Sequence, residues 1–335
     1  MIDLPEWAEC SPDVREALAA GKPVVALESS VWAHGLPRPI NLEVAQETQE
    51  AVRSAGAVPA IIALKQGRVH YGLSFPALED FCGRNTVSKV GIGDIPAVLA
   101  TRSTGATTVS ATLALAEQAG IRIMATGGLG GVHLNWTSRL DISSDLGQLA
   151  RTRCLTVCSG VKSVLDVPAT VEMLETLGIP VALYRTDRFP RFYTSGLAIG
   201  IGFRVDSPVE AARAHQLAVS TLNRGLLVTQ PVPAEHELPS EDLEGWLREG
   251  MLRAEADGQT AKQVTPFLLD YLARASNGQT LEANRALLLS NARLAAEIAC
   301  ATAKGPPPPP PPATGAGRGP RRRDGGLPGG LAPSP

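Results

Sequence analysis

The amino-acid sequence predicts a layered α/β fold. Short β-type runs alternate with helical patterns along most of the 335 residues, which is typical of helices packed on a sheet. The run at 23–27 (Pro-Val-Val-Ala-Leu) is apolar throughout, as expected of a strand buried on both faces. A hydrophobic content of 44% is sufficient for one large α/β domain or two small ones.

Capping residues and closing glycines locate the elements of the first half of the chain. Asn41 is predicted to cap a helix that Gly56 closes, because asparagine favours the N-cap and glycine the position after a helix. In order, we expect a short helix from Ser11 to Gly21, a strand at 23–27, the helix capped by Asn41, a hairpin of 58–64 with 68–71, and a strand at 86–90.

The second half continues the alternation. Ser207-Pro-Val-Glu210 has the pattern of a capping box with proline at the first helical position. In order, we expect helix 107–119, strands 121–125 and 154–158, a helix from Asp166 to Gly178, strand 180–184, the helix from Ser207 to Gly225, strand 226–229, and a mostly helical segment from Ser240 to Ala299.

Charge and cysteine usage narrow the functional classes. A net charge of −2 gives no electrostatic reason to expect nucleic acid or a membrane surface as a partner. The five cysteines are scattered without a Cys-x-x-Cys motif, which favours a reducing compartment. The N-terminus lacks an apolar signal region and no apolar stretch approaches 18 residues, so we expect a cytoplasmic protein without a membrane span.

The C-terminal segment differs in composition from the rest. Seven prolines at 306–312 precede a stretch rich in glycine, proline and arginine, which cannot bury a core and is typical of disordered or polyproline II chain. A ligand for an SH3-type domain is one interpretation, and an extension without a function is the one we prefer. We therefore predict a catalytic domain at 1–304 and a disordered tail at 305–335.

Four features follow predicted strands at the point where each strand ends. They are Glu28, Lys89, the glycine-rich run 127–131 and Lys162. If these strands are parallel, all four meet at one edge of the sheet, which is where open α/β sheets bind ligands. A solvated charge at one strand end is common, but an acid, two amines and a glycine run together favour a functional site.

Lys162 is the strongest single candidate. A lysine among apolar neighbours can lose its proton and attack a carbonyl carbon, provided that its pKa falls well below the reference value of about 10.4. Taken alone, this lysine is equally typical of a salt bridge or a phosphate contact, and that simpler interpretation is favoured until other residues join it.

The glycine run and the acidic pair that follows it leave alternatives open. His133 replaces the last glycine of a dinucleotide motif, so the run indicates close backbone approach to a ligand, with phosphate binding at amides near Thr107 or Thr108. Asp141 and Asp145 suit Mg²⁺ or Mn²⁺ bound mostly through water, or else Ser143 or Ser144 simply caps a helix there.

The histidines and serines exclude two classes of enzyme. No His/Cys cluster has the spacing of zinc ligands, and no Gly-x-Ser-x-Gly elbow supports a serine hydrolase. His34 and His133 lie in glycine-bearing loops and are the better functional candidates. His215 falls within a helix, and we expect it at the surface.

Taken together, these motifs resemble the pseudouridine-5′-phosphate glycosidase family. The matching segments follow the family's order and cover roughly residues 22–300. They are Val25–Ser29, His34–Pro37, Gly56–Ala60, Gly105–Val109, Ala125–His133, Asp141–Leu146, Ser159–Ser163, Val205–Ser207, Val264–Leu269 and Leu281–Asn284. So many ordered segments make the resemblance far more specific than any one motif.

The resemblance implies a three-layer α/β/α sandwich around a mostly parallel mixed sheet, assembled as a homotrimer. It implies reversible cleavage of the C–C glycosidic bond of pseudouridine 5′-phosphate to uracil and ribose 5-phosphate, through a lysine Schiff base. By resemblance, Lys162 is the nucleophile, Glu28 the proton donor, and Asp141 the ligand of Mn²⁺ or another divalent cation. The substrate-binding residues implied are Lys89, Val109, Thr126, His133, Ser143, Ser144, Asp145 and Asn284.

Two segments depart from the family pattern. Gly91-Ile-Gly93 replaces a more basic stretch, and 134–140 replaces an Arg-Gly-rich one, both beside the expected phosphate site. The alternatives are a Schiff-base or metal-assisted lyase on another phosphosugar, and an inactive homologue that binds ligand without turnover.

Overall fold

A computed structural model describes residues 5–84, 86–134, 136–259 and 261–305 of the chain. The described strands are β1 (Ala8–Cys10), β2 (Val24–Leu27), β3 (Val58–Lys65), β4 (Arg68–Tyr71), β5 (Ser88–Val90), β6 (Gly105–Thr107), β7 (Ile123–Ala125), β8 (Val132–His133), β9 (Leu155–Cys158), β10 (Leu165–Asp166), β11 (Val181–Tyr184), β12 (Phe189–Arg191), β13 (Thr194–Leu197), β14 (Phe203–Val205) and β15 (Leu227–Thr229). The predicted tail lies outside the described residues from 306 onward.

The described helices alternate with these strands. They are α1 (Pro12–Ala19), α2 (Ile40–Ser54), α3 (Phe75–Gly83), α4 (Ile95–Ala100), α5 (Val109–Gln118), α6 (Trp136–Arg139), α7 (Ser144–Leu149), α8 (Val167–Thr176), α9 (Pro208–Leu222), α10 (Ser240–Ala256), α11 (Ala261–Ala275) and α12 (Gln279–Ala303). A π-helix at Val31–Gly35 and two 3₁₀ turns, Ile92–Asp94 and Ala234–His236, complete the set.

An 11-stranded mixed sheet forms the centre of the protein. Its main path is β1-β4-β3-β2-β7-β9-β15-β11-β14, and the pairs from β3 through β14 along this path are parallel. The central strands β2, β7 and β9 are wholly buried because helices cover both faces. This confirms the predicted α/β class with a mostly parallel mixed sheet.

Strands β2 and β6 lie on the same edge of β3 with their carboxyl ends facing each other, an arrangement called head to head below. Leu27 pairs with Ile61 of β3, and antiparallel β6 continues along the same edge of β3 two residues later. Between them, the Ile62 carbonyl accepts hydrogen bonds from Ser29 Oγ at 2.7 Å and Thr107 Oγ1 at 2.6 Å. The start of α5 therefore lies beside the carboxyl ends of β2, β7 and β9, although β6 runs in the opposite direction.

The helices form a layer on each face of the sheet. On one face α12 packs against β2, β7 and β9 and lies between α2 and α9, whereas α1 and α5 pack on β2 and β3. By length and composition α12 is apolar enough to cross a membrane, but half of its most apolar window is buried inside the protein. Its contacts with three central strands make it a core helix.

Several local predictions are confirmed and three are corrected. The hairpin of β3 and β4 forms where expected, and Asp166 caps α8. Asn41 is not the cap, because α2 begins at Ile40; its buried amide instead donates to the Trp32 and Cys82 carbonyls at 2.8 and 3.2 Å.

His215 is buried rather than at the surface, with 4% of its surface exposed. Its Nε2 lies 2.8 Å from the Arg153 carbonyl, a main-chain acceptor that shortly precedes β9. The capping box of α9 is half formed. Ser207 Oγ accepts from Glu210 N at 3.2 Å, but the Glu210 carboxylate accepts from Asp206 N.

Candidate active site

A cavity of 410 Å³ opens at the carboxyl ends of β2, β7 and β9, next to the start of α5. The predicted site residues that line it are Glu28, Lys89, Val109, His133, Asp141, Ser143, Ser144, Asp145 and Lys162. A smaller cavity of 50 Å³ shares Glu28, Lys89 and Lys162 with the larger one and is also lined by Asn284. Thr126 reaches the site indirectly, through Glu28.

The side chain of Glu28 is held by two hydroxyl groups. It follows β2 directly and is 4% exposed. Ser30 Oγ donates to one carboxylate oxygen and Thr126 Oγ1 donates to the other. Because a hydroxyl can donate or accept, this pair of partners can hold the carboxyl group in either protonation state. That arrangement suits a group that gives up and regains a proton.

Lys162 stands on a loop whose path the sequence restricts tightly. Gly160 has a φ of +73°, and a Cβ there would lie 1.9 Å from the Pro190 carbonyl oxygen, so glycine is required. Lys162 N donates to the Leu129 carbonyl at 3.2 Å, which ties the loop to the glycine run. Among the described residues no carboxylate forms a salt bridge with the Lys162 side chain, which lines both cavities.

Lys89 enters the site from an unexpected direction. Its strand β5 is parallel to β6, and β6 is antiparallel to β3, so the prediction that all four strand ends are parallel was wrong for Lys89. Head-to-head packing of β6 on β2 nevertheless brings Lys89 to the shared wall of the two cavities. Desolvation, reinforced by the positive charge of Lys89, lowers the pKa of neighbouring His34 below its ordinary value.

Asp145 fixes the start of α5 against the glycine run. Its buried carboxylate accepts from Ser110 N and from Gly130 N, both at 2.9 Å. Ser143 caps α7, as one of the two sequence interpretations required, and Ser144 Oγ lies 3.0 Å from Ser110 Oγ. The result is a wall of serine hydroxyls beside the start of α5, a surface suited to phosphate and sugar oxygens.

Asp141 and His133 form a loose pair that also lines the larger cavity. His133 N donates to the Asp141 carbonyl at 3.0 Å, and His133 Nδ1 lies 3.8 Å from Asp141 Oδ2. Burial lowers the pKa of His133, and the charges of Lys89 and Lys162 lower it further against the opposing effect of Asp141. His133 is therefore neutral near pH 7.

A divalent cation fits this wall through one carboxylate. No group of three or more His, Cys, Asp or Glu side chains is arranged to hold a metal in the described part of the chain. Asp141 is half-exposed toward the cavity, so a hard cation bound there would take its other ligands from water and substrate oxygens. This fits Mn²⁺ or Mg²⁺ and excludes a closed zinc site built from these residues.

The smaller cavity is more apolar than the larger one. Gly127, Gly128, Phe192 and Leu269 line it together with Asn284. Asn284 is buried, and its Oδ1 has no hydrogen-bond partner in the described structure. Because Asn284 lines this cavity, its unpaired acceptor favours a ligand that brings an N–H or O–H donor.

Sequence reasoning missed three residues that shape the site. Ser30 holds Glu28, and the hydroxyl two positions after the acid was the available signal. Asn291 of α12 donates to the Thr126 and Gly127 carbonyls at 2.9 and 3.3 Å, yet nothing in the local sequence distinguishes it from a helix-core residue. Phe192 reaches the smaller cavity from the β12–β13 hairpin, which had no sequence signal.

Comparisons with known proteins identify the relatives of this chain. The family model for indigoidine synthase A like protein matches residues 13–301. Pseudouridine-5′-phosphate glycosidases of Symbiobacterium thermophilum and Streptomyces griseus are 46% and 48% identical to the chain. Each match spans 88% of this chain, and it covers 97% and 91% of the two relatives respectively.

The chain belongs to the pseudouridine-5′-phosphate glycosidase family. Two solved structures share its fold. The prealnumycin C-glycosynthase AlnA, solved with ribulose 5-phosphate, has a TM-score of 0.83 and 37% identity over 90% of this chain and 98% of its own. An indigoidine synthase A-like protein from Thermotoga maritima has a TM-score of 0.80 and 38% identity over 88% and 96%. The family match ends at residue 301, so the proline-rich tail lies outside it.

Proposed function

We propose that the chain reversibly cleaves the C–C glycosidic bond of pseudouridine 5′-phosphate, giving uracil and ribose 5-phosphate. The observation that carries the proposal is the placement of Glu28 and Lys162 in the wall shared by the two cavities. A proton donor and an amine next to one reacting carbon are the groups that this reaction needs. The names of the curated relatives support the same substrate.

Ring opening is the first task, because protonation of a ring nitrogen does not loosen a C–C bond. Glu28 gives its proton to the ribose ring oxygen, and the bond between that oxygen and C1′ breaks. Ser30 and Thr126 keep the carboxyl group in place as it loses the proton. The Lys162 amine then forms a bond to C1′.

Cleavage of the C–C bond follows from the lysine adduct. The nitrogen lone pair of Lys162 forms a C=N bond to C1′ as the uracil carbon leaves and takes up a proton. Water adds to the resulting iminium and releases the amine and the open-chain aldehyde of ribose 5-phosphate. One water is consumed in total, and the reverse sequence forms the C–C bond.

The larger cavity fits the phosphosugar. Lys89 and the hydroxyls of Ser143 and Ser144 provide a charge and donors for the phosphate and sugar oxygens. We propose Val109, Asp145 and His133 as further parts of this surface, with Asp145 acting by holding the start of α5 against the glycine run. A divalent cation at Asp141, Mn²⁺ by resemblance, would supply electrostatic stabilisation of substrate oxygens when bound.

A second candidate function differs in the partner of the sugar. The structural relative AlnA is named as a C-glycosynthase, so the same fold supports C–C bond formation with another acceptor. The alternative for this chain is a Schiff-base reaction on a phosphosugar with a carbon partner other than uracil.

We further propose a cytoplasmic homotrimer. All five cysteines are free thiols, as expected in a reducing compartment. The trimer is proposed from the family resemblance, and light scattering of the purified protein tests it.

Uracil release from pseudouridine 5′-phosphate in the presence of Mn²⁺ tests the proposed function. Wild-type protein should release uracil, whereas Lys162→Ala should not. Borohydride reduction with ribose 5-phosphate should attach the sugar to the peptide that contains Lys162 in the wild type alone. Uracil release by both proteins would remove Lys162 as the nucleophile. A trapped sugar without uracil release would favour the other carbon partner, and neither signal would indicate an inactive homologue.

A further inference from the structure

The tip of the β12–β13 hairpin lies against the loop that carries Lys162. Phe192 N donates to the Ser159 carbonyl at 2.9 Å, and Ser163 Oγ donates to the Arg191 carbonyl at 2.7 Å. Gly160 and Arg191 also form an antiparallel bridge. The hairpin tip and the lysine loop are thus joined on both sides of Lys162, and Phe192 cannot move independently of that loop.

The backbone of Phe192 is strained. Its φ is +57°, in the left-handed region that bulky side chains rarely adopt, at a cost on the order of 1–3 kcal/mol. The side chain is nevertheless 3% exposed and packs edge-to-face on Tyr193 with the ring centroids 4.6 Å apart. A strained aromatic residue at the rim of a cavity indicates that its position matters for function.

The ring of Phe192 lies directly over the glycine run. A Cβ at Gly128 would lie 2.5 Å from Phe192 Cδ2, and one at Gly127 would lie 3.4 Å from Phe192 Cε2. Glycines at these positions therefore leave the room that the ring occupies. Phe192 forms one wall of the smaller cavity, with Leu269 and Asn284 as other parts of its lining.

The two cavities differ in their linings, and under the proposed function they divide the substrate between them. Apart from the shared residues, the larger cavity is lined by the hydroxyls of Ser143 and Ser144, whereas the smaller one offers mostly apolar surface and the side chain of Asn284. Lys162 and Glu28 stand in the shared wall, where C1′ must lie. A planar base attached to C1′ accordingly projects into the smaller cavity.

We infer that Phe192 is a specificity-determining residue that limits the leaving base to a single six-membered ring. The inference rests on the proposed function and adds the size class of the carbon partner. Removing the ring should extend the smaller cavity without altering the phosphosugar side, so a bicyclic partner should then be accepted.

The test is run in the direction of C–C bond formation, with ribose 5-phosphate and one of two carbon partners. Uracil is compared with 1,3-dihydroxynaphthalene, a bicyclic phenol whose electron-rich ring carbon can likewise attack the Lys162 iminium. In each case the ring carbon gives up a proton, a C–C bond forms and one water is released. Products are quantified by mass spectrometry, and kcat/KM is measured for both partners.

Phe192→Gly is the main variant, because glycine accepts the positive φ and also removes the ring. We expect the ratio of kcat/KM for the bicyclic partner to that for uracil to rise at least tenfold over wild type. Borohydride trapping of ribose 5-phosphate at Lys162 should remain at the wild-type level, which shows that the sugar side is intact. Phe192→Trp should lower kcat/KM for uracil.

A matched pair separates cavity size from general loosening of the hairpin. Phe192→Leu and Phe189→Leu make the same change in the same hairpin, but Phe189 is fully buried and lines neither cavity. The ratio should rise in the first variant alone. An unchanged ratio in Phe192→Gly, or an equal rise in both leucine variants, would overturn the inference. A wild-type protein that makes no product with uracil would instead overturn the proposed function.

Discussion

Two glutamates at opposite ends of the sheet have different partners. Glu28, at the carboxyl end, accepts hydrogen bonds from two hydroxyls and faces a cavity. Glu117, beside the amino end of β9, accepts from Thr152 Oγ1 at 2.9 Å and Arg153 Nε at 2.8 Å, with Arg122 3.5 Å away. Burial raises the pKa of Glu117, but the bonds from Arg153 and Thr152 outweigh it and lower the pKa overall.

This difference separates an acid that can exchange a proton from one that stabilises the fold. Arginines cannot accept a proton or turn into acceptors, so they hold Glu117 ionised. Hydroxyl partners impose no such charge on Glu28. Substitutions at the two ends should therefore affect different measurements, catalysis at one end and unfolding at the other.

Glu28→Gln should have the largest effect. Glutamine keeps the size of the side chain and can still bond to Ser30 and Thr126, but it cannot protonate the ribose oxygen. Loss of a general acid typically lowers kcat by about 10²–10⁴. We expect that loss in uracil release, with the free energy of unfolding in urea near the wild-type value. A variant that retains wild-type kcat would exclude Glu28 as the proton donor.

Asn291→Leu should affect both measurements. Asn291 is fully buried, donates to the Thr126 and Gly127 carbonyls, and accepts from Gln230 Nε2 at 2.8 Å. Leucine would remove the bonds to the Thr126 carbonyl and the Gln230 amide, at about 1–3 kcal/mol for each group that water cannot reach, whereas the Gly127 carbonyl keeps its bond from Ser159 N. The displaced Thr126 would no longer orient Glu28, so we expect kcat to fall roughly tenfold with little change in KM.

A control for Asn291 lies just before the start of the same helix. Ser276→Ala removes a buried hydroxyl that accepts from Thr280 N at 3.1 Å but touches no strand end. It should lower stability and leave kcat unchanged. Equal kcat values in both variants would assign Asn291 to stability alone.

The sequence predicted the site residues best where a residue's position just after a strand determines its place in the fold. Glu28 follows β2 directly and Lys162 lies on the loop after β9, and because β2, β7 and β9 are parallel, both residues reach one edge of the sheet. No local pattern indicates that β6 meets β2 head to head. The prediction that Lys89 lies at the site was therefore correct, although the parallel strand on which it depended was wrong. Asn291 pairs with Ser159 across 132 residues, a contact that only the packing of α12 creates.

The errors at Asn41 and His215 have a common cause. In both cases we assigned a polar residue to a helix end or the surface from its type alone. Each side chain instead bonds main-chain carbonyls that need a donor in the folded protein: those of Trp32 and Cys82 for Asn41, and that of Arg153 for His215. These carbonyls come close to the helix only in the folded protein, so the sequence of the helix contains no pattern that predicts the hydrogen bonds.

Glu117→Gln should lower stability without lowering activity. The change removes the charge that pairs with Arg153 and Arg122, and we expect a loss of about 1–3 kcal/mol in the free energy of unfolding at pH 7. Because the folded-state pKa of Glu117 is lowered, this contribution is present above the ordinary pKa of 4.5 and disappears as the pH falls through the folded value. Urea unfolding at pH 7 and at a series of pH values below 4.5 measures it, and a large drop in kcat would contradict the assignment.

His215 should give the smallest effect, visible as a pH dependence of stability. Burial is the main cause of its lowered pKa; the nearby charge of Arg122 lowers the pKa further, and the bond to the Arg153 carbonyl opposes both. The folded protein therefore holds His215 neutral, whereas the unfolded chain takes up a proton below about pH 6.5. Stability should fall as the pH drops from the unfolded pKa toward the folded pKa, by up to about 1.4 kcal/mol for each pH unit between those two values.

His215→Gln tests this assignment, because the glutamine amide can donate to the same carbonyl but does not titrate. As the pH is lowered from neutral into the mildly acidic range, the free energy of unfolding should fall less in this variant than in the wild type. Parallel declines in the two proteins would place the titrating group elsewhere.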